Sequence, residues 1–144
     1  MISTPVYKVK WMAVVKDKSI KVNGWESLRP YKIGIRLGIK LVEMKTKGMN
    51  VEKASDNHTI LKKVAIGRND IGILPQLAIL AAIKKNNFTG LTILEPPLQT
   101  VNLYHYIHNS RKDLVEKLEK VMADMDASGE IQQIIDHEKS KKFE

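Results

Sequence analysis

Two turns in the sequence hold residues that could meet a ligand. One lies in IGRNDIGIL, residues 66–74. An apolar helical pattern stops at Gly67, Arg68 and Asn69 make a loop, and Asp70 opens the apolar run Ile71–Leu74. A guanidinium and a carboxylate at the mouth of a buried strand are candidate ligand contacts. They are also ordinary loop furniture: Asp70 could satisfy loop N–H groups and Arg68 could pair with it. The other turn is IRLGIK, where Gly38 lets backbone approach a ligand closely and the following helix start offers free N–H groups to an anion. A lone glycine also serves simple packing, and no phosphate-loop pattern surrounds it. Pro75 and Gln76, at the next strand end, are further candidates.

The remaining reactive types form no catalytic or metal-binding set. There is no cysteine, so disulfides, thiolate ligands and thiol nucleophiles are excluded. His105 and His108 are three apart in a stretch read as extended, so they point to opposite faces. His58 and His137 have no carboxylate at ligand spacing. Asp113, Glu116, Glu119 and Asp124 fall on the outer side of an amphipathic helix. No serine sits in a nucleophile elbow. We expect no catalysis, metal or cofactor.

The elements that must position these residues follow from periodicity. YKVKWMAVV alternates and then turns apolar, as a strand does when its second half is buried. WESLRP allows one helical turn before Pro30. YKIGIRLG and MNVEKA read as short strands, with the helix IKLVEMKTKG between them. Ser55, Asp56 or Asn57 caps a helix whose apolar face is Ile60, Leu61, Val64 and Ala65. DIGIL is a strand, QLAILAAIKKNN a helix and GLTIL a strand. Pro96–Pro97 is expected to interrupt that last strand before LQTVNLYHYIH resumes. Ser110 and Asp113 suggest a capping-box variant. Leu114, Val115, Leu118, Val121, Met122 and Met125 then share a helical face. Gly129 breaks it, and a second helix carries Ile131, Ile134 and Ile135. Strand and helix alternate as in an α/β sheet with helices on both faces.

The totals agree with a globular chain. There are 144 residues, 43% hydrophobic, with a formal charge of +8. The length suggests one domain. The lysines are strewn along the chain without interleaved aromatics, which reads as a solvated surface and not a nucleic-acid stripe. No apolar run approaches a membrane helix, and the N-terminus has no signal core, so neither membrane insertion nor export is expected from the chain as written.

The segments STPVYKVKWMAVV, WESLRPYKIGIRLGIK, LKKVAIGRNDIGIL and LEPPLQTVNLYHYIHNSRKDLVEKLEKVMADMDASGEIQQII together resemble the second half of extracellular solute-binding proteins of family 3. These are the type II periplasmic binding proteins that feed ABC importers. The resemblance implies a mixed five-stranded sheet flanked by helices, with a C-terminal helical hairpin. Residues 5–15 and 99–108 would be hinge-type crossings, 20–98 lobe two and 111–137 the C-terminal helices, all within one domain over 1–144. Asp70 matches the family aspartate that takes a ligand's amino group. Gly38 matches a glycine turn, but Ile39 and Lys40 stand where the family places a hydroxyl donor. The implied function is binding of a small polar solute, amino-acid-like or anionic, weakened because most of lobe one is not in this chain. A permease would be a partner only for a complete receptor, and the implied location is periplasmic. The uncovered apolar face of the late helices, or the hinge strands, is expected to form a homodimer. The alternative function is a non-catalytic dimerising or protein-interaction module.

Overall fold

The computed structural model describes residues 1–143. Among them the strands are β1 (Tyr7–Val15), β2 (Ile33–Arg36), β3 (Val51–Ala54), β4 (Ile71–Pro75) and β5 (Thr92–Leu103). The α-helices are α1 (Lys40–Lys45), α2 (Asn57–Ala65), α3 (Gln76–Asn86), α4 (Val115–Ala127) and α5 (Glu130–Phe143), with 3-10 turns at Trp25–Leu28 and Asn109–Leu114. The order matches the alternation expected from periodicity. One sheet has the order β3-β2-β4-β1-β5. β2 runs parallel to β3 and β4, and β1 runs antiparallel to β4. The sheet is therefore mixed.

Strand period two sends side chains to two apolar layers. Ala13 and Val15 of β1, Ile33 and Ile35 of β2, and Ile71 and Ile73 of β4 pack with Leu28 and Val42 on one face. Met12, Val14 and Leu74 pack on the other with Ile60, Leu61 and Ile79 of α2 and α3. β2 and β4 share the motif Ile-Gly-Ile, and their register pairs Ile33 with Ile71 and Gly34 with Gly72. Both glycines thus fall on the α2 face, where they let the helix approach. A Cβ on Gly72 would lie 3.0 Å from Ile60 Cγ2 and from Val14 Cγ1. One on Gly34 would lie 2.6 Å from the Asn69 side-chain amide.

The chain forms two compact units. One holds Lys10–Thr100 and the other Met1–Val9 with Val101–Glu144. The reason is local: α4 and α5 contribute no side chain to either core layer. In the second unit the N-terminal segment joins the late chain. Ile2 N donates to His105 O (2.8 Å), Val6 N to Leu103 O (2.8 Å) and Ser3 Oγ to Glu119 Oε2 (2.6 Å).

Three local expectations are corrected. Pro96–Pro97 does not interrupt β5, which runs unbroken from Thr92 to Leu103. β5 is an edge strand, where a residue without an N–H is tolerated. The extended segment also ends at Leu103 and does not reach His108. The turn before α4 is 3-10, and the His108 side chain, not Ser110, caps it by accepting from Ser110 N.

Candidate functional site

In an open α/β sheet the carboxyl tips of parallel strands and the helix N-termini beyond them face the ligand. Here those tips are Arg36 of β2, Ala54 of β3 and Pro75 of β4, leading into α1, α2 and α3. Gly38, Ile39, Pro75 and Gln76 all lie at this end. Gly38 has φ +86, a conformation that suits glycine, with open space where a Cβ would stand. Arg36 and Lys40 flank it, both exposed.

The three helix starts differ. Asp56 caps α2, its carboxylate accepting from Thr59 N at 2.7 Å and from Thr59 Oγ1 at 2.9 Å. These bonds hold its carboxyl below the usual aspartate range. α3 begins after Pro75 with no side-chain cap, so its first-turn N–H groups point outward without intrahelical acceptors. α1 also lacks a side-chain cap on its Ncap residue Ile39. Its approach is guarded by Glu43, whose Oε1 accepts from Gly38 N at 3.2 Å and pairs with Lys53 Nζ at 3.1 Å. The Gly38 N–H, and then Lys53, hold the Glu43 carboxyl below its ordinary value.

A groove of about 470 Å³ opens between the start of α2 and one face of α3, lined by Asn57, His58, Ala78, Ala81, Ala82 and Lys85 among others. Asn57 Oδ1 is buried there without a hydrogen-bond partner among the described residues. The His58 ring is tilted against Phe88, with 5.3 Å between centroids, which fixes it as a wall. This end therefore offers N–H donors at α3, an orphan acceptor at Asn57 and cations at Arg36 and Lys40.

Asp70 and Arg68 are not at that end. Asp70 immediately precedes β4, so it stands at the amino end of the strand, whereas Gly38 follows the carboxyl end of the parallel β2. The Asp70 carboxylate accepts from Lys32 N at 2.8 Å, and Asp70 N donates to Lys32 O at 2.9 Å. Asp70 thus fastens the start of β4 to the start of β2. It also lines a hollow of about 290 Å³ with Lys16, Asp17, Ile20, Val64 and Gly67, again at the amino end.

Arg68 pairs with Glu52, at 3.4 Å, and not with Asp70. Glu52 also takes Lys63, and Lys32 at 3.5 Å. Buried Asn69 completes the cluster: its amide nitrogen, turned to satisfy both neighbours, donates to Glu52 Oε2 (3.0 Å) and Arg68 O (3.1 Å). The Lys63 hydrogen bond above all, with the charges of Arg68, Lys63 and Lys32, draws the Glu52 carboxyl below the glutamate value of 4.5. A depressed carboxyl stabilises the fold above its unfolded-state pKa, and that contribution is lost as pH falls through the folded-state pKa. Glu52→Gln should lower stability at neutral pH and flatten its decline between about pH 5 and pH 3. Urea unfolding across that range tests this; parallel curves for the two proteins would remove Glu52 as the acid-sensitive group.

Sequence reasoning missed Glu43, Arg36 and Asn57. Glu43 lies five residues beyond Gly38, a spacing that a short helix folds back onto the turn. Nothing in sequence marks Asn57 as unpartnered.

No family model matches the sequence, and no curated protein matches it. Solved structures do match in fold. A histidine kinase sensor domain with similarity to periplasmic binding proteins aligns at TM-score 0.73 and 16% identity, over 94% of this chain and 61% of that one. The substrate-binding protein AbpA of an amino acid ABC transporter from Streptococcus pneumoniae, bound to L-arginine, aligns at TM-score 0.73 and 19% identity, over 99% and 62%. The GluR0 ligand-binding core in complex with L-glutamate gives TM-score 0.75 at 10% identity, over 92% and 61%. The chain has the α/β fold of type II periplasmic-binding-protein-like domains. It spans about 60% of the length of these neighbours.

Proposed function

We propose that the Lys10–Thr100 unit is a solute-binding lobe whose site lies at the carboxyl tips of β2 and β4. The observations that support this are the uncapped N-terminus of α3 and the unpartnered Asn57 Oδ1 at the start of α2. One supplies donors for a carboxylate, the other an acceptor for an ammonium group, and an amino-acid-like zwitterion presents both. Gly38, Ile39, Pro75 and Gln76 form the backbone rim, and Arg36 and Lys40 favour an anionic solute. Amino acids are the ligands of AbpA and the GluR0 core, which supports the same class here. The lobe acts in binding for transport or sensing, without catalysis, and such lobes work outside the cytoplasm.

A site formed by the strand tips of one unit buries only part of its ligand, and affinity falls with it. A Kd on the order of 1 mM is expected. With glutamate or arginine at about tenfold excess over that Kd, stabilisation is about 1.4 kcal/mol, a thermal shift of roughly 5 °C. No shift with amino acids or small anions would refute the reading. Glu43→Ala removes the carboxylate that occupies Gly38 N–H. It should tighten glutamate binding about fivefold, the worth of one freed hydrogen bond of about 1 kcal/mol. Calorimetric titration checks this, and unchanged or weaker glutamate binding would take Gly38 out of the site.

A second reading rests on the other unit. Among its described residues Ile2 alone is a buried apolar side chain. Leu118, Val121 and Ile134 are 38%, 51% and 50% exposed. A unit so poor in core is stabilised by an additional surface, and we assign that surface to a second copy of the chain. On this reading the protein assembles through α4 and α5.

A further inference from the structure

The lysines that look scattered in sequence are gathered by the fold. β1 ends, and β2, β3 and β4 begin, at one end of the Lys10–Thr100 unit. That unit holds sixteen Lys and Arg against seven Asp and Glu, whereas the other unit holds eight against nine. At this end Lys16 and Lys18 follow β1, Lys45 and Lys47 close α1, and Lys62 and Arg68 close α2 and its loop. All six are exposed. The first five have no ion-pair partner among the described residues. The acids at the same end are already engaged. Glu52 carries three cations, Asp70 holds Lys32 N, and Asp17 Oδ1 accepts from Ser19 N at 2.8 Å.

Two apolar side chains stand beside these cations, one on the helix of each sheet face. Met44 is 69% exposed on α1 and Ile66 is 66% exposed at the end of α2, the two most exposed large hydrophobics of the unit. Lysine at a helix C-terminus offsets the helix dipole, which accounts for Lys45 and Lys62. It accounts for neither Lys16 and Lys18 nor the protruding apolar pair. Nucleic-acid sites use arginine forks and stacking aromatics. This surface is mostly lysine, and none of its exposed large hydrophobics is aromatic. Diffuse lysines around projecting aliphatic side chains suit a bilayer interface, where the charges meet anionic headgroups and the apolar tips enter the acyl boundary.

We propose that this amino-end surface adsorbs peripherally to anionic lipid membranes, with Met44 and Ile66 as the inserted tips. No helix of the described residues is long and apolar enough to cross a membrane, so the contact is superficial. The carboxyl tips of β2–β4, at the opposite end of the strands, are left open to solute.

Co-sedimentation with vesicles tests this. Vesicles of phosphatidylcholine with phosphatidylserine should bind the protein, and pure phosphatidylcholine should not. Replacing Lys16, Lys18 and Lys62 together by Glu should weaken binding about a hundredfold or more. Replacing Lys117 and Lys120 on α4 by Glu should change it little. Met44→Ser with Ile66→Ser should weaken it several-fold and abolish the part that survives high salt. Circular dichroism confirms that each variant is folded. Equal binding to neutral vesicles, or none to anionic ones, overturns the proposal. So does affinity for duplex DNA equal to that for anionic vesicles with no dependence on Met44 and Ile66, which would mark a polyanion site instead.

Discussion

Gly72→Val should be the most damaging single substitution in the protein. Gly72 is the second residue of β4, buried, with Ile60 of α2 above it and Val14 of β1 beside it. Even a Cβ would meet Ile60 Cγ2 and Val14 Cγ1 at 3.0 Å and Val64 Cγ2 at 3.2 Å. None of these is the free end of a long side chain, so α2 must lift or β4 must shift. Overpacking of this kind costs about 1–3 kcal/mol for small additions. Valine adds two methyls beyond the Cβ, so a loss at or above the top of that range is expected. Against a domain stability of ~5–15 kcal/mol, much of the fold would be spent. Urea unfolding of Gly72→Ala and Gly72→Val reports the effect. A loss below about 0.5 kcal/mol for valine would mean that α2 does not sit against β4 as described.

The second large effect concerns assembly. If a second copy covers α4 and α5, the protein sediments as a dimer at micromolar concentration. Val121→Lys with Ile134→Lys then converts it to monomer. Each charge enters an apolar contact, and central contacts cost about 2 kcal/mol or more when lost. Dissociation should rise on the order of a thousandfold for the pair. Leu114, Met122 and Met125 are half-buried already, so the same change there would damage the unit itself and blur the reading. Sedimentation equilibrium distinguishes the outcomes. A wild-type monomer up to about 100 μM would refute the dimer while leaving the solute site untouched.

The order of elements was legible because the apolar period changes cleanly along the chain. Two for YKVKWMAVV and near 3.6 for the helix ending at Gly67 leave little choice. The paired Ile-Gly-Ile motifs were legible too, as short strands, but their meaning was not. Only the register of β2 against β4 shows that both glycines lie under one helix. Pro96 and Pro97 misled because edge position is a tertiary property, and an edge strand can spare an N–H. The position of the candidate residues was partly legible. Gly38, Ile39, Pro75 and Gln76 reach the strand tips because each follows or ends a parallel strand. Asp70 lies at the other end of β4, since a residue just before a strand stands at its start. Charge defeated the sequence in the other direction. Lys16, Lys45 and Lys62 are far apart in the chain and share one end of the sheet only through its topology.

The solute site is tested most directly by amide-resolved NMR during titration with L-glutamate and L-arginine. The account predicts saturable shifts at Gly38–Leu41 and Gln76–Ala78, with a weaker response at Asn57 and little change at Arg68–Asp70. Saturable shifts confined to Arg68–Asp70 and the hollow beside Lys16 and Asp17 would contradict it.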